Sequence, residues 1–207
     1  RDTDRSRGLG DVYKRQLVVS ALKWLISNYE KMNIRILNIS VGMLASARRE
    51  EQEELLAAIE AVWDAGIVVV AAAGNNGPKD KSITIPGLCR KIITVGSSDD
   101  EEGEVKNLGL MRGYSGRGPT EACIMKPEVV APGTAIVSCK RMGNGYEMKS
   151  GTSMATPVVA GAVAVLLSRY SNLKPAEVKL RLYETSVDTG KSKHAQGWGR
   201  LDVMQLI

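Results

Sequence analysis

The 207-residue chain contains no phenylalanine, one histidine and only three cysteines. With aromatic residues at 4% of the chain, its core must be built from Val, Ile, Leu and Ala, the side chains of a parallel sheet covered by helices. Cys89, Cys123 and Cys139 are odd in number and lack Cys-x-x-Cys spacing. That argues against a disulfide framework or a zinc site and makes reduced structural thiols the default. It leaves the location open, with a lean toward a reducing, cytoplasmic compartment. No apolar run reaches the roughly 20 residues of a membrane span, and no signal-peptide pattern is visible, so no membrane partner is expected. The net charge of +5 comes from scattered cations whose one cluster is N-terminal, so no nucleic-acid partner is expected either. What remains is a globular composition, 43% apolar and 25% charged, in a length that suits one compact domain or a piece of a larger one.

Residues Arg1 to Gln16 crowd Arg and Asp around Gly8 and Gly10 without helical or strand periodicity. They read as a disordered lead, or as sequence foreign to the domain, so the domain proper is taken as residues 17–207. Leu17, Val18, Ala21, Leu22, Leu25 and Ile26 then form the apolar face of a helix. Ile34 to Gly42 follows as a short apolar strand, and the charged run Arg48 to Glu54 opens a helix that Gly66 ends. Ile67 to Ala73 is continuously apolar, a strand buried on both faces, and breaks at the turn Gly74-Asn75-Asn76-Gly77-Pro78. Ile92 to Gly96 is a third apolar run. Asp99, Asp100, Glu101 and Glu102 read as a solvated acidic turn rather than a cation site. Ala135 to Ser138 with Gly143-Asn144-Gly145 signals a strand and hairpin turn, and Pro175 starts a late helix running to about Glu184. The strand–helix alternation predicts an α/β layer fold with parallel strands, whose functional residues gather at the strand carboxyl ends.

The stretch from Ser150 to Leu167 organises the rest. Gly151 permits a sharp backbone, Thr152 or Ser153 can cap a helix, and Pro157 is tolerated in or near a first turn. The residues beyond are small or apolar, which predicts a helix covered on most sides. A hydroxyl at its N-terminus sits beside free N–H groups and the positive end of the helix dipole. A serine attacking a carbonyl needs such a place, because an anion forms there.

Gly151-Thr152-Ser153-Met154-Ala155-Thr156-Pro157-Val158-Val159-Ala160-Gly161 closely resembles the nucleophile motif of the subtilisin-like serine proteases, or subtilases, with Val158 where the family usually has His. Ile36 to Gly42 is similar to the family segment that pairs with an extended peptide, and Ala71 to Gly77 to its oxyanion segment. Tyr114 to Pro119 and Lys126 to Gly133 also resemble family segments with structural roles. The resemblance implies a three-layer, doubly wound, mostly parallel α/β sheet, present as an incomplete C-terminal portion. It implies a serine endopeptidase acting on polypeptides. Ser153 would be the nucleophile and Asn75 an oxyanion donor together with the Ser153 N–H. Ser40, Val41 and Gly42 would bind substrate backbone, and Ala72, Ala73 and Gly74 would line the primary specificity pocket. No cofactor is required; calcium is common in the family, but no compact carboxylate loop offers a site.

Subtilases order their triad Asp, His, Ser. This chain has neither an Asp-Ser/Thr-Gly nor a His-Gly-x-His pattern, and His194 follows Ser153, so it is expected to be a solvated loop residue. The chain is therefore expected to be the C-terminal part of a catalytic domain, inactive without a missing N-terminal part, and sticky alone because a sheet edge is bared. Two other readings stand beside this one. An α/β-hydrolase would use Ser153, Asp188 and His194 in that order. A non-catalytic subtilase relative would bind extended peptides on Ser40 to Gly42.

Overall fold

The computed structural model describes residues 2–43, 49–101 and 112–207, with side chains of the first helix from Gln16 onward. Arg48 and Glu102, which the sequence places in a helix start and an acidic turn, lie outside the described residues, as does the segment 105–111. Helix α1 (Asp2–Met32) leads to β1 (Ile36–Ile39), α2 (Arg49–Asp64) and β2 (Val68–Ala72). Strands β3 (Ile93–Ser97) and β4 (Val129–Ala131) follow, then the hairpin β5 (Ile136–Cys139) and β6 (Tyr146–Lys149). The chain closes with α3 (Thr152–Arg169), α4 (Pro175–Thr185) and the short α5 (Lys193–Gln196) and α6 (Val203–Leu206).

Strands β1 to β4 form one parallel sheet in chain order. The register sets Ile36 opposite Val68, Val70 opposite Ile93 and Val95 opposite Val129. Every residue of β2, β3 and β4 is buried, as their unbroken apolar runs require of strands covered on both faces. Burying each Val or Ile contributes about 1.5–3 kcal/mol, so the sheet centre is the stable frame on which the turns at its carboxyl end are mounted. Residues 199–201 cover the outer edge of β4, with the Val130 N–H donating to the Gly199 carbonyl and the Leu201 N–H to that of Val130. On the outer edge of β1 no strand pairs among the described residues, and its side chains are mostly half-exposed.

Helix α2 packs on α1 and β2, while α3 lies along all four strands. Its Ala155, Val159, Ala162, Val163, Leu166 and Leu167 enter the core. The expectation that α3 is covered on most sides needs correcting: Val158 and Val165 are exposed, because only one face meets the sheet. Most of the apolar face read in the sequence for α1 meets the core: Leu22 and Leu25 are buried, and Val18 and Ile26 pack against them. Among the described residues the face is shifted only at its start, where Val19 is buried in place of Leu17, which is 52% exposed. The helix spans Asp2 to Met32 and so runs through the stretch set apart as a lead.

The acidic turn is solvated only in part: Glu101 is exposed, but Asp99 and Asp100 are held inside the fold. Asp99 Oδ1 accepts from the backbone N–H groups of Gly133 and Thr134 at 2.8 and 3.0 Å. Asp100, 2% exposed, takes the Ser115 N–H on Oδ2 and faces Lys191. Both carboxylates tie loops from elsewhere to the end of β3, so their partners were invisible in the local sequence. A second buried ionic group sits under β3. Lys126 Nζ reaches Glu128 Oε1 at 2.7 Å, the Thr94 hydroxyl and the Ile92 carbonyl. Lys179 from α4 meets the same carboxylate oxygen at 2.9 Å. Burial holds the Lys126 ammonium below the usual lysine range, and the nearby Glu128 offsets part of that.

Candidate active site

Two turns meet at the carboxyl end of the sheet. One leaves β2 at Ala73-Gly74-Asn75. The Ala73 N–H still bonds Val95, while its carbonyl accepts from the Thr84 backbone N–H at 2.9 Å. Gly74 turns with φ +95°, and an added Cβ would overlap the Thr84 side chain, so only glycine fits. The other turn is Ser150-Gly151, where the Gly151 N–H donates to Gly133 and the Ser150 hydroxyl accepts from Ala135 N–H. Gly151 is the N-cap of α3, at φ 145°.

The helix is not capped by Thr152 or Ser153, as the sequence suggested. No side chain of the cap residue bonds the helix end; Asn75, from the first turn, takes that role. Its Oδ1 accepts from the Thr152 N–H at 3.0 Å and from the Thr152 hydroxyl at 3.1 Å. The same hydroxyl accepts the Gly74 N–H at 3.1 Å, and Thr152 is fully buried. Because a backbone N–H can only donate, the carboxamide atom facing it must be oxygen. Its Nδ2 therefore lies on the other side, beside Gly151, where a Cβ would sit 3.1 Å away. Among the described residues nothing accepts from that Nδ2, and nothing takes the Ser153 N–H.

Ser153 is the second residue of α3 and half-buried. Its hydroxyl donates to the Ser40 carbonyl at 2.8 Å. Asn38 in turn donates to the Ser40 hydroxyl at 2.9 Å. Pro157 is the sixth helical residue, beyond the first turn. Having no N–H, it leaves the Ser153 carbonyl without its usual partner four residues on.

A cavity of about 230 Å³ opens here. Gly42, Ala72 and Gly74 form its backbone walls, Asn75, Asn76, Thr152 and Ser153 its polar side, and Thr84 also lines it. Among the described residues no charged side chain lines it, and the aligned peptides of α3 place roughly half a positive charge at that end. The structure thus brings together Ser153, Asn75, Gly42, Ala72 and Gly74. Ser40 joins through its carbonyl. Val41 is 53% exposed, outside the cavity, and neither its backbone nor that of Gly42 is hydrogen-bonded among the described residues. Ala73 does not line the pocket: it is fully buried, its carbonyl held by Thr84. Thr152 was named only as a cap candidate, and Thr84 carries no local pattern at all; the fold alone reveals them.

The sequence profile of the subtilase family matches residues 8–199. The chain belongs to the subtilase family. Among curated subtilases it is 36% identical over 200 residues to serine protease AprX of Bacillus subtilis strain 168, covering 88% of this chain and 45% of that protein. It is 33% identical over 177 residues to subtilisin DY of Bacillus licheniformis, covering 84% and 56%. The chain thus spans about half the length of the curated subtilases it matches. Among solved structures, sphericase superposes with TM-score 0.73 at 25% identity, over 89% of this chain and 63% of that one. The prenylagaramide maturation protease PagA superposes with TM-score 0.72 at 26% identity, over 93% and 66%. The fold is therefore subtilisin-like α/β, with the parallel sheet described above.

His194 lies at a short helix rather than in a loop, with Nδ1 3.1 Å from Asp80 Oδ2. Asp188 bonds Gln196, the Gly190 N–H and Lys193. The two do not pair with each other, and neither lines the cavity at Ser153, which removes the α/β-hydrolase arrangement. Among the described residues no group of three or more His, Cys, Asp or Glu side chains is placed to hold a metal ion.

Proposed function

We propose that residues 17–207 form the nucleophile-bearing part of a subtilase catalytic domain, a serine endopeptidase. Ser153 Oγ attacks a peptide carbonyl and passes its proton to an imidazole base supplied, with its aspartate, from outside these residues. The oxyanion that forms takes hydrogen bonds from Asn75 Nδ2 and the Ser153 N–H, at the positive end of α3. The base then gives the proton to the leaving amine, and water releases the acyl group from Ser153. The free backbone of Val41 and Gly42 pairs with the extended peptide as an added strand. No cofactor takes part.

One observation carries this reading. Asn75 is fixed by its oxygen to the helix that bears Ser153, and among the described residues its N–H₂ and the Ser153 N–H have no partner beside the cavity they share. The Ser153 hydroxyl, meanwhile, rests on the Ser40 carbonyl, which cannot accept a proton as a base would. The proposal is that the 207-residue chain alone is inactive. The test is hydrolysis of fluorescein-labelled casein by the chain alone, by the chain preceded by its upstream coding sequence, and by the Ser153→Ala variant of the latter. Activity in the second preparation only is expected. Undiminished activity of Ser153→Ala refutes the assignment. A folded, inactive longer protein supports instead the reading as a peptide binder.

A further inference from the structure

The pocket beside Ser153 is bounded by two stretches of bare backbone, Ser40 to Gly42 and Ala72 to Gly74, and Thr84 stands between them. Its Oγ1 is so close to both that a Cβ on Gly42 would come within 2.7 Å of it, and one on Gly74 would overlap it. Thr84 therefore plugs the slot that would otherwise run inward between the walls. It is also firmly held. Thr84 is 4% exposed, its backbone N–H and hydroxyl both donate to the Ala73 carbonyl, at 2.9 and 3.3 Å, and the next residue, Ile85, exchanges two backbone hydrogen bonds with Met43.

The space left is about 230 Å³, below the roughly 300–1,000 Å³ of ordinary ligand pockets. It must take part of the scissile peptide unit as well as a side chain. Among the described residues its lining offers neither a carboxylate to pair a cation nor an aromatic face to stack on. A buried, unpaired ammonium or guanidinium is costly, so basic residues are disfavoured by charge and aromatic ones by the Thr84 side chain that fills the slot between the walls.

Resting on the peptidase reading above, we infer that Thr84 sets the substrate preference: it selects a small uncharged residue, of alanine or serine size, on the acyl side of the scissile bond. The test uses the full-length protein that carries this chain and two tetrapeptide p-nitroanilides differing only in Ala or Phe before the anilide. Wild type is expected to favour Ala in kcat/KM by about ten-fold or more, a difference of about 1.4 kcal/mol. Thr84→Gly opens the slot and shifts the Phe/Ala ratio toward Phe by at least ten-fold. Thr84→Val, which keeps the bulk and loses the hydroxyl, retains the Ala preference. Thr84→Ser, which deletes only the methyl, gives an intermediate ratio and serves where the glycine variant does not fold. A wild-type enzyme that cleaves the Phe substrate as fast, or a ratio unmoved by Thr84→Gly and Thr84→Ser, overturns the role of Thr84 alone. A folded protein whose Ser153 takes no fluorophosphonate overturns the peptidase reading and this inference with it.

Discussion

Replacing Thr152 by Val keeps the shape of the side chain and deletes one hydroxyl with two tasks. Thr152 is fully buried, so no water replaces what is lost. The Gly74 N–H would be left unsatisfied, at about 1–3 kcal/mol, and the bond to Asn75 Oδ1 lost, at about 1 kcal/mol. Stability should therefore fall by roughly 2–4 kcal/mol. The catalytic effect is smaller than losing Asn75, because the Thr152 backbone N–H still holds Oδ1 at 3.0 Å. One of two anchors gone lets the carboxamide rock, and a ten-fold loss in kcat, about 1.4 kcal/mol, is expected. KM should hardly move, since the oxyanion exists only after attack. The assay is kcat and KM on a peptide p-nitroanilide with the full-length protein, beside a urea melt. Thr152→Ser should restore both. Because Thr152 acts through Asn75, the Thr152→Val/Asn75→Ala double variant should be no slower than Asn75→Ala alone. Strictly additive losses, or a loss confined to KM, would refute the reasoning.

Asn75→Ala removes one oxyanion donor and should lower kcat by about 10²–10³-fold with KM little changed, a magnitude borrowed from subtilisin itself, a relative of this chain. Glu128→Gln leaves the fully buried Lys126 and the neighbouring Lys179 without their shared carboxylate; urea unfolding of the full-length protein should show a loss of about 3–5 kcal/mol. Asp188 is held down to about 2 by the Gly190 N–H, then Gln196 and Lys193. Its folded pKa lies below its unfolded one of 3.8, so its contribution is present above about pH 4 and lost as pH falls toward 2. The melting difference between wild type and Asp188→Asn should shrink over that interval, and a difference that stays constant would contradict it.

The sheet was legible because its strands are continuously apolar: Ile67 to Ala73 could only be a strand covered on both faces, and it is. The turns that carry Ser153 and Asn75 were legible from glycine-bearing motif strings, and the structure sets the two turns side by side. The start of the α1 face was not, because Leu17, Val18 and Val19 are all apolar and the choice of Val19 over Leu17 belongs to the packing against α2. Nor were the tasks of Asp99, Asp100 and His194, whose partners lie 34, 15 and 114 residues away. Such pairings are set by how turns stack at the ends of strands, about which a local window says nothing. Thr84 is the same case, ordinary in sequence and decisive in position.

The most direct measurement is covalent labelling of the full-length protein with a fluorophosphonate, read by intact mass and located by peptide mapping. One adduct is expected, on Ser153, with a rate that falls in Asn75→Ala because the phosphonyl oxygen loses a donor. A folded protein labelled elsewhere, or labelled on Ser153 at a rate indifferent to Asn75, would contradict the convergence of the two turns on one reacting carbonyl.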